Sequence, residues 1–382
     1  MADDSRDRFW RADTLRVLDP SPHRRPHVWP EAGLERDPAE RPGGAEFGHI
    51  DPAHQRELKA AVLTEALERM ASLHREVEVE ALPGPADGTG WRIRVRLHVA
   101  DDGSVGPYAA RSHRVVPVAS LPLAVEEVRE LAPLGQAFPE LAGSGSARRR
   151  RGEAADRARA VDVIAPSGGS ARLVLGRQDP TAIVEKVGER EFRVDDTGFW
   201  QVHRHAAATL SAAVVDAIDP ERFDPGAGNL DLYGGVGLFA AALGDRFGRA
   251  TRVTSVEADE RATEHAAENL ADWVGARTVT AKVEQWVRGL GALPGPERDR
   301  LAAGSVVLDP PRSGAGREVL VALAAVAPRQ IVYVACDPVA LARDIGTLEE
   351  LGYRLETLRA FDLFPATHHV EAVARLAPAR ES

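Results

Sequence analysis

The spacing of apolar residues changes twice along the chain and divides it into three parts. Residues 1–50 are rich in proline and charge and show no sustained period, which predicts a loosely structured segment. Residues 51–197 begin with a capping Asp51 and apolar positions at helical spacing, and continue as short alternating segments between glycine and proline turns. This pattern predicts a small antiparallel β-rich (α+β) domain with one further short helix at residues 124–131.

From residue 198 to 382 the pattern is strand, loop and helix in repetition. The apolar segments NLDLY, RVTSVEA, RTVTAKV, SVVLDPP and QIVYVAC alternate with predicted helices at residues 258–274, 316–326 and 338–351. This alternation predicts an α/β, Rossmann-like doubly wound sheet that binds ligands beyond the carboxyl ends of its strands. The last two strand candidates, YRLETLRAF and HVEAVARLA, have no helix between them and are expected to pair antiparallel at one edge.

Composition and charge narrow the class of protein. The 382 residues are 44% apolar, enough for two cores, and contain no apolar run long enough to span a membrane. Because the first residues lack the features of a signal peptide, we expect a cytoplasmic protein without a membrane partner, and a monomer by default. A net charge of −10 disfavours nucleic-acid binding through overall charge. The run Arg148 to Arg151 is equally compatible with a solvated loop and with phosphate contacts.

A glycine-rich turn indicates a nucleoside cofactor. In LDLYGGVGLF, Gly234, Gly235 and Gly237 lie where a strand turns into a helix and backbone can approach a ligand closely. The turn lacks the complete GxGxxG of a dinucleotide site, so a cofactor without phosphate suits it better. Glu257 ends the next strand, 20 residues after Gly237, where a carboxylate can accept hydrogen bonds from both hydroxyls of a ribose.

The candidate chemistry centres on the single cysteine. Cys336 follows the strand IVYVA and precedes a helix whose N-terminus favours the thiolate over an inert thiol. Asp309 stands before two prolines at the end of the preceding strand and is expected to face the same cleft. A thiolate that adds to carbon 6 of uracil makes carbon 5 nucleophilic, and a base must then remove the carbon-5 proton. Glu371 is the candidate base, although a surface carboxylate on an edge strand would look the same in sequence.

Together these motifs resemble those of the RNA uracil-5-methyltransferases, the family of the tRNA and 23S rRNA uridine methyltransferases. The segments that carry the resemblance are GFWQVH (198–203), LDLYGGVGLF (230–239), VEAD (256–259), LDPPRSGAG (308–316), IVYVACDPVALARDI (331–345) and FDLFPATHHVE (361–371). The resemblance implies a seven-stranded class I methyltransferase domain over residues 198–382 that uses S-adenosyl-L-methionine. It also implies methylation of carbon 5 of a uridine in RNA through a covalent bond between Cys336 and carbon 6, with Glu371 as base.

The resemblance also implies which residues contact the cofactor, and the chain departs from the family pattern in several places. It implies that Gln201, Tyr233, Glu257 and Asp309 contact S-adenosylmethionine, the first two by resemblance alone. Many members carry a TRAM barrel and a four-cysteine iron–sulfur site. Here residues 1–50 resemble at most a remnant of the barrel, no cysteine precedes Cys336, and no iron–sulfur cluster or other metal site is expected. Leu238 and Asp337 stand where asparagine is frequent, and the charge of Asp337 is expected to raise the pKa of the thiol.

The RNA target and two alternatives stay open at this point. Residues 51–197 are the expected RNA-binding domain, and 23S rRNA is preferred to tRNA because barrels are common among the rRNA enzymes. A cytosine-5 RNA methyltransferase would also need a cysteine nucleophile, although the position of Cys336 after IVYVA favours uracil. A non-catalytic RNA-binding relic would bind the cofactor without transferring its methyl group.

Overall fold

The computed structural model describes residues 2–3, 11–142 and 159–379, so the arginine run at 148–151 lies outside the described residues. The helices are α1 (Pro52–Ala71), α2 (Glu126–Leu131), α3 (Ala206–Ala217), α4 (Leu238–Phe247), α5 (Glu260–Asn269), α6 (Val283–Arg288), α7 (Gly295–Ala302), α8 (Gly316–Val326) and α9 (Pro338–Glu350). The strands are β1 (Ala2–Asp3), β2 (Arg11–Ala12), β3 (Val79–Ala81), β4 (Arg94–Val99), β5 (Val105–Gly106), β6 (Ala160–Ile164), β7 (Arg172–Leu175), β8 (Ala182–Val187), β9 (Arg190–Asp195), β10 (Asn229–Leu232), β11 (Val253–Glu257), β12 (Ala276–Thr280), β13 (Ser305–Leu308), β14 (Gln330–Ala335), β15 (Tyr353–Asp362) and β16 (Glu371–Pro378). No helix in these ranges is both long and apolar enough to cross a membrane.

The large sheet confirms the α/β fold class. Its strand order is β12-β11-β10-β13-β14-β16-β15-β3, and the strands from β12 to β14 run parallel. Parallel strands need apolar residues on both faces because helices cover both sides of such a sheet. Accordingly the central strand β13 is buried along its whole length. One buried cluster includes residues of α3 and α4, and a second includes residues of α1, α8 and α9.

The last two strands pair as expected but do not form an edge. β15 and β16 are antiparallel, which confirms the predicted pairing. However, β16 lies between β14 and β15, and β3 covers the far side of β15. The first residue of β16, Glu371, is therefore on an interior strand and is only 4% exposed. A surface carboxylate on an edge strand is thus the wrong description of this residue.

The expected boundary at residue 51 does not match the sheets. β3 pairs parallel with β15, so it is a strand of the large sheet rather than of a separate antiparallel domain. The helix α1, capped by Asp51 as predicted, packs its buried Leu63 and Leu67 into the cluster that also contains residues of α9. Gly346 on α9 makes this close approach possible, since a Cβ there would lie 2.6 Å from the carbonyl oxygen of Met70. These contacts join residues nearly 300 positions apart, which local periodicity cannot reveal.

The remaining strands form three smaller sheets, of which the smallest and most N-terminal pairs β1 with β2. The four-stranded sheet has the order β5-β4-β6-β7, and β8 with β9 forms a separate antiparallel hairpin. Residues 11–50 have little regular structure but are not loosely packed, contrary to the prediction. Trp29 is 5% exposed and joins the core, and the Glu31 carboxylate accepts hydrogen bonds from the backbone N–H groups of Ala119 and Ser120. Tertiary contacts therefore order a segment that has no periodicity of its own.

A buried ion pair fixes α1 to the large sheet. Lys59 Nζ lies 2.5 Å from Asp362 Oδ1, and it also donates to the carbonyl oxygen of Phe364 at 3.1 Å. One turn earlier, the Gln55 side chain donates to the carbonyl oxygen of Phe47 and accepts from the N–H of Ala366. Burial lowers the pKa of Lys59, whereas the charge of Asp362 acts in the opposite direction. Both side chains thus hold the segment that leads into β16.

We expect Lys59→Ala to lower the free energy of unfolding by about 3 kcal/mol or more, because it leaves the carboxylate of Asp362 buried without its partner. The matched control is Lys186→Ala, whose lysine pairs with Glu191 on the surface and should contribute less than about 1 kcal/mol. Urea unfolding followed by circular dichroism measures both. Equal losses in the two variants would show that the buried pair does not stabilise the fold.

Candidate active site

The site lies where several strand ends meet. β10, β13 and β14 are parallel neighbours, so their carboxyl ends bring Tyr233, Asp309 and Cys336 to one edge of the sheet. β16 runs the other way and starts at this edge. Its register pairs Ala335 with Ala372, which puts Glu371 beside Cys336 on the adjoining strand. The pairing thereby brings together the two residues that the sequence nominated for catalysis.

The glycine turn after β10 approaches its surroundings too closely for side chains. A Cβ on Gly234 would lie 2.0 Å from Ser255 Oγ and 2.8 Å from Asp231 Oδ2. Gly235 and Gly237 have φ values of +52° and +86°, a region that favours glycine. Leu238, the first residue of α4, packs its side chain against the core. The backbone at Gly234 therefore packs directly against β11, where a side chain would not fit.

Glu257 lies beside this turn, but backbone groups already occupy much of its carboxylate. Oε2 accepts from the N–H of Gly235 at 3.0 Å, and Oε1 accepts from the N–H groups of Ala258 and Asp259 at 2.6 and 2.8 Å. A carboxylate has about four acceptor positions, so Oε2 retains one. The sequence predicted bonds to both ribose hydroxyls, whereas the structure leaves room for one without rearrangement.

Two further acids lie close to the turn. Asp231 on β10 is fully buried, accepts from Ser255 Oγ and the N–H of Ala240, and leaves its Oδ1 without a partner among the described residues. Burial raises its pKa to about 7. Burial also raises the pKa of Asp309 to about 7, and the charges of Asp231 and Glu257 add to that effect. Such an acidic site fits a cationic ligand, as the sulfonium of S-adenosylmethionine is.

The two residues nominated by resemblance alone have different surroundings. Tyr233 directly follows β10 at the start of the glycine turn and has a φ of +62°. Its hydroxyl group donates a hydrogen bond to Glu284 Oε1 at 3.0 Å. Burial and the charge of Glu284 raise the pKa of this tyrosine, so its hydroxyl stays protonated. Gln201 is half-buried in the segment between β9 and α3. It makes no hydrogen bond to another residue that the structure describes, so no hydrogen bond links it to Tyr233, Glu257 or Asp309.

The Cys336 thiol is more basic than the sequence predicted. Burial raises its pKa to about 11, the charges of Glu371 and Asp309 act in the same direction, and Arg312 opposes them. The expected effect of the helix N-terminus does not prevail, because burial and these two charges raise the pKa of the thiol. Asp337 caps α9 by accepting from the N–H groups of Val339 and Ala340 at 3.0 and 2.8 Å. In the free protein Cys336 is a thiol at neutral pH.

Glu371 is the second perturbed group beside the thiol. Burial raises its pKa well above the ordinary value, the charge of Asp309 adds to this rise, and Arg312 reduces it. The charge of Asp309 therefore affects both Cys336 and Glu371, while Asp309 itself responds to the acids near the glycine turn. The carboxyl group of Asp309 is therefore coupled electrostatically both to the acids near the glycine turn and to the groups beside the thiol.

Cys336 opens into a cleft of about 490 Å³. One wall is the exposed side of α1, and the opposite wall is the start of α9. The lining residues are Phe47, Leu58, Lys59, Ala61, Val62, Glu65, Arg312, Cys336, Asp337, Pro338, His368 and His369. A larger cavity, about 670 Å³, opens at the amino ends of β10 and β11, away from the thiol. The thiol is therefore accessible from the smaller cleft and not from the larger one.

Sequence reasoning assigned no role to Arg312 or to the residues that hold its loop. The buried Asp344 accepts from the Tyr333 hydroxyl at 2.6 Å and from the N–H of Ala315 at 2.8 Å. The loop from Asp309 to Ala315 is thereby fixed from behind by β14 and α9. The sequence offered part of the signal for Arg312, because this residue directly follows the two prolines. Only the folded structure shows that Arg312 lines the same cleft as the thiol and that its charge acts on it.

Comparison with known proteins places these residues in one family. The family model described as tRNA (uracil-5-)-methyltransferase matches residues 153–377. An uncharacterized RNA methyltransferase of Streptomyces coelicolor is 39% identical over 97% of this chain and 83% of its own length. The 23S rRNA (uracil(1939)-C(5))-methyltransferase of Alkalilimnicola ehrlichii is 34% identical over 95% of this chain and 85% of its own.

A solved structure agrees with the fold. It is the tRNA (uracil-54, C5)-methyltransferase of Pyrococcus abyssi in complex with S-adenosyl-L-homocysteine, with a TM-score of 0.64. The match covers 97% of this chain and 89% of that one. At 20% sequence identity it bears on the fold alone.

Because Cys336 is the single cysteine of the chain, alkylation by iodoacetamide reports its ionisation directly. With a pKa of about 11 against an ordinary 9.0, the thiol should react about a hundredfold more slowly than a free cysteine near neutral pH. The rate should rise with pH and level off only near pH 11. A plateau below about pH 9 would contradict the raised pKa.

Arg312→Leu should slow the alkylation further at each pH below the plateau, because it removes the cation that lowers the pKa of the thiol. The matched control is Arg317→Leu, whose arginine pairs with Glu350 on the surface. The same rate measurements serve for both variants. If both variants react at the same rate, Arg312 has no specific effect on the thiol.

Proposed function

Since the chain belongs to the tRNA (uracil-5-)-methyltransferase family and is an RNA (uracil-5-)-methyltransferase, we propose that it acts through a covalent bond between Cys336 Sγ and carbon 6 of a uridine. One observation carries the proposal. The charge of Asp309 acts on both Cys336 and Glu371, and the acids beside the glycine turn act on Asp309. A base held against the thiol would therefore lie next to a bound cofactor.

The first proposed step is addition of Sγ to carbon 6. The thiol loses its proton to water in the open cleft, and the resulting thiolate bonds to carbon 6. The electrons of the carbon 5–carbon 6 double bond then form an enolate, in which carbon 5 is nucleophilic. Arg312 supports this step because its positive charge lowers the pKa of the thiol. When bound, S-adenosylmethionine supplies an electrophilic methyl group.

The second proposed step belongs to Glu371. After carbon 5 has been methylated, the Glu371 carboxylate removes the carbon-5 proton, the double bond re-forms and the bond from carbon 6 to Sγ breaks. Burial makes this carboxylate a stronger base than an exposed glutamate, because it raises its pKa. The pairing of β16 with β14 keeps the base next to the nucleophile throughout.

The cofactor is proposed to bind against the glycine turn. Glu257 would accept from a ribose hydroxyl through Oε2, and the buried acids Asp231 and Asp309 would stabilise positive charge. Gln201 and Tyr233 complete the proposed set. Of these contacts, the acidic ones are best supported, because unligated acids with raised pKa values gain most from a nearby cation.

We propose 23S rRNA in preference to tRNA as the substrate. The relative from Alkalilimnicola ehrlichii, 34% identical over nearly the whole chain, is named for 23S rRNA. The smaller sheets formed by β4 to β9 are the proposed RNA-binding part. A non-catalytic relic is the competing hypothesis, and the presence of both Cys336 and Glu371 at adjoining strand positions speaks against it.

The proposed steps predict that neither of two variants releases tritium from 5-tritiated uridine in RNA, but that the two differ in adduct formation. Cys336→Ala should release none and form no adduct. Glu371→Gln should still form the covalent bond but not resolve it, so an RNA–protein adduct should accumulate on a denaturing gel.

Bulk tRNA and 23S rRNA are assayed separately, so the active RNA identifies the substrate class. The control is Glu350→Gln, which changes an exposed glutamate at the end of α9 and should release tritium normally. Cofactor binding without tritium release from either RNA by the wild type would favour the relic.

Cofactor affinity should increase with pH around neutrality. Below about pH 7 the Asp309 carboxyl is protonated and neutral, and above it the carboxylate attracts the cationic cofactor. We expect the Kd for S-adenosylmethionine, measured by calorimetry, to be several-fold higher at about pH 6 than at about pH 8. Asp309→Asn should reduce this dependence, whereas Asp216→Asn, on the surface of α3, should keep it. The same pH dependence in all three proteins would contradict the assignment.

A further inference from the structure

The Cys336 cleft is larger than a single nucleotide base. Cys336, Asp337 and Pro338 line one end, and Phe47, His368 and His369 line another part of the same 490 Å³ space. The aromatic rings of this second group contact one another: His368 and His369 have centroids 4.1 Å apart, and Phe47 meets the edge of His368 at 6.5 Å. An aromatic group therefore adjoins the reactive thiol.

His368 offers an accessible ring within this group. Its side chain is 60% exposed, and Glu46 lies 3.9 Å from Nδ1. The backbone that leads to His368 is anchored, because the N–H of Phe47 donates to the carbonyl oxygen of Ala366 at 2.8 Å and the Gln55 side chain bonds both segments. An exposed ring on an anchored segment loses less freedom than one on a mobile loop when a flat ligand stacks on it.

A cation lies beside the rings. Arg312 is exposed and its Nη2 lies 3.5 Å from His369 Nε2. Within the described part of the chain no carboxylate lies within ion-pair distance of it, although its charge acts on Cys336 and Glu371, so the exposed guanidinium can also reach a phosphate. Aromatic rings next to an unpaired arginine are the combination by which proteins hold single-stranded nucleic acid.

We propose that His368, supported by Phe47, stacks on the base of a nucleotide that adjoins the target uridine in the RNA. The inference rests on the proposed function, since it concerns the same cleft. To reach Sγ, the uridine must leave its stack, and its neighbour loses a stacking partner at the same moment. A ring at the mouth of the cleft replaces that partner. Because every base has a flat face, the subsite holds the neighbour without reading its identity.

The test is a comparison of wild type and His368→Ala on three short synthetic RNAs that span the methylated uridine. One RNA is intact, one has an abasic residue on the 5′ side of the uridine, and one has it on the 3′ side. On intact RNA, His368→Ala should lower kcat/KM for tritium release about tenfold, mainly through KM. The abasic residue on one side should cause a similar loss in the wild type but no further loss in His368→Ala. His368→Phe should keep most of the wild-type value.

Two outcomes would overturn the proposal: losses that multiply to about a hundredfold in the variant with abasic RNA, or wild-type activity in His368→Ala. The control is His74→Ala, an exposed histidine beyond the end of α1, which should behave as wild type. The same set of comparisons is made on the Kd for fluorescent RNA in a Cys336→Ala background. This binding measurement tests the subsite even when no tritium is released, and so separates its failure from that of the proposed function.

Discussion

The antiparallel pairing of β14 with β16 is the constraint on which the site depends. Parallel strands alone bring their carboxyl ends together, and this places Cys336 near Asp309 and the glycine turn. β16 runs antiparallel to these strands, so its amino end lies at the same edge of the sheet as their carboxyl ends. The register of Ala335 with Ala372 then fixes Glu371 next to the thiol. A slip by one residue would turn the Glu371 side chain to the other face of the sheet.

The second theme is an excess of buried acid at this edge. Asp231, Asp309 and Glu371 all have raised pKa values because burial disfavours their charged forms, and Arg312 is the cation that opposes the effect at the thiol end. Unfavourable charge in a free site is a common cost of preorganisation. Here a cationic cofactor would relieve it on one side, and the proposed chemistry at carbon 5 would use a strong base on the other.

The N-terminal part of the chain completes the cleft. α1 contributes a wall and, through the buried Lys59–Asp362 pair, holds the segment that carries His368 and leads to Glu371. β3 extends the large sheet beyond β15. The catalytic unit therefore begins well before the first methyltransferase motif, and RNA that enters the cleft would meet the N-terminal segment and the strand-end loops together.

The sequence by itself determined the α/β class, the glycine turn, most helices of the large sheet and the positions of Cys336, Glu257 and Asp309 at strand ends. These follow from periodicity and local motifs, which depend on neighbours a few residues away. Only the tertiary structure decided that α1 and β3 join the large sheet, that β16 is interior, and that Arg312 faces the thiol. It also reversed the expected ionisation of Cys336, because burial and the charges of Glu371 and Asp309 outweigh the effect of a helix N-terminus. Strand register and desolvation arise between residues far apart in the chain, so no local pattern encodes them.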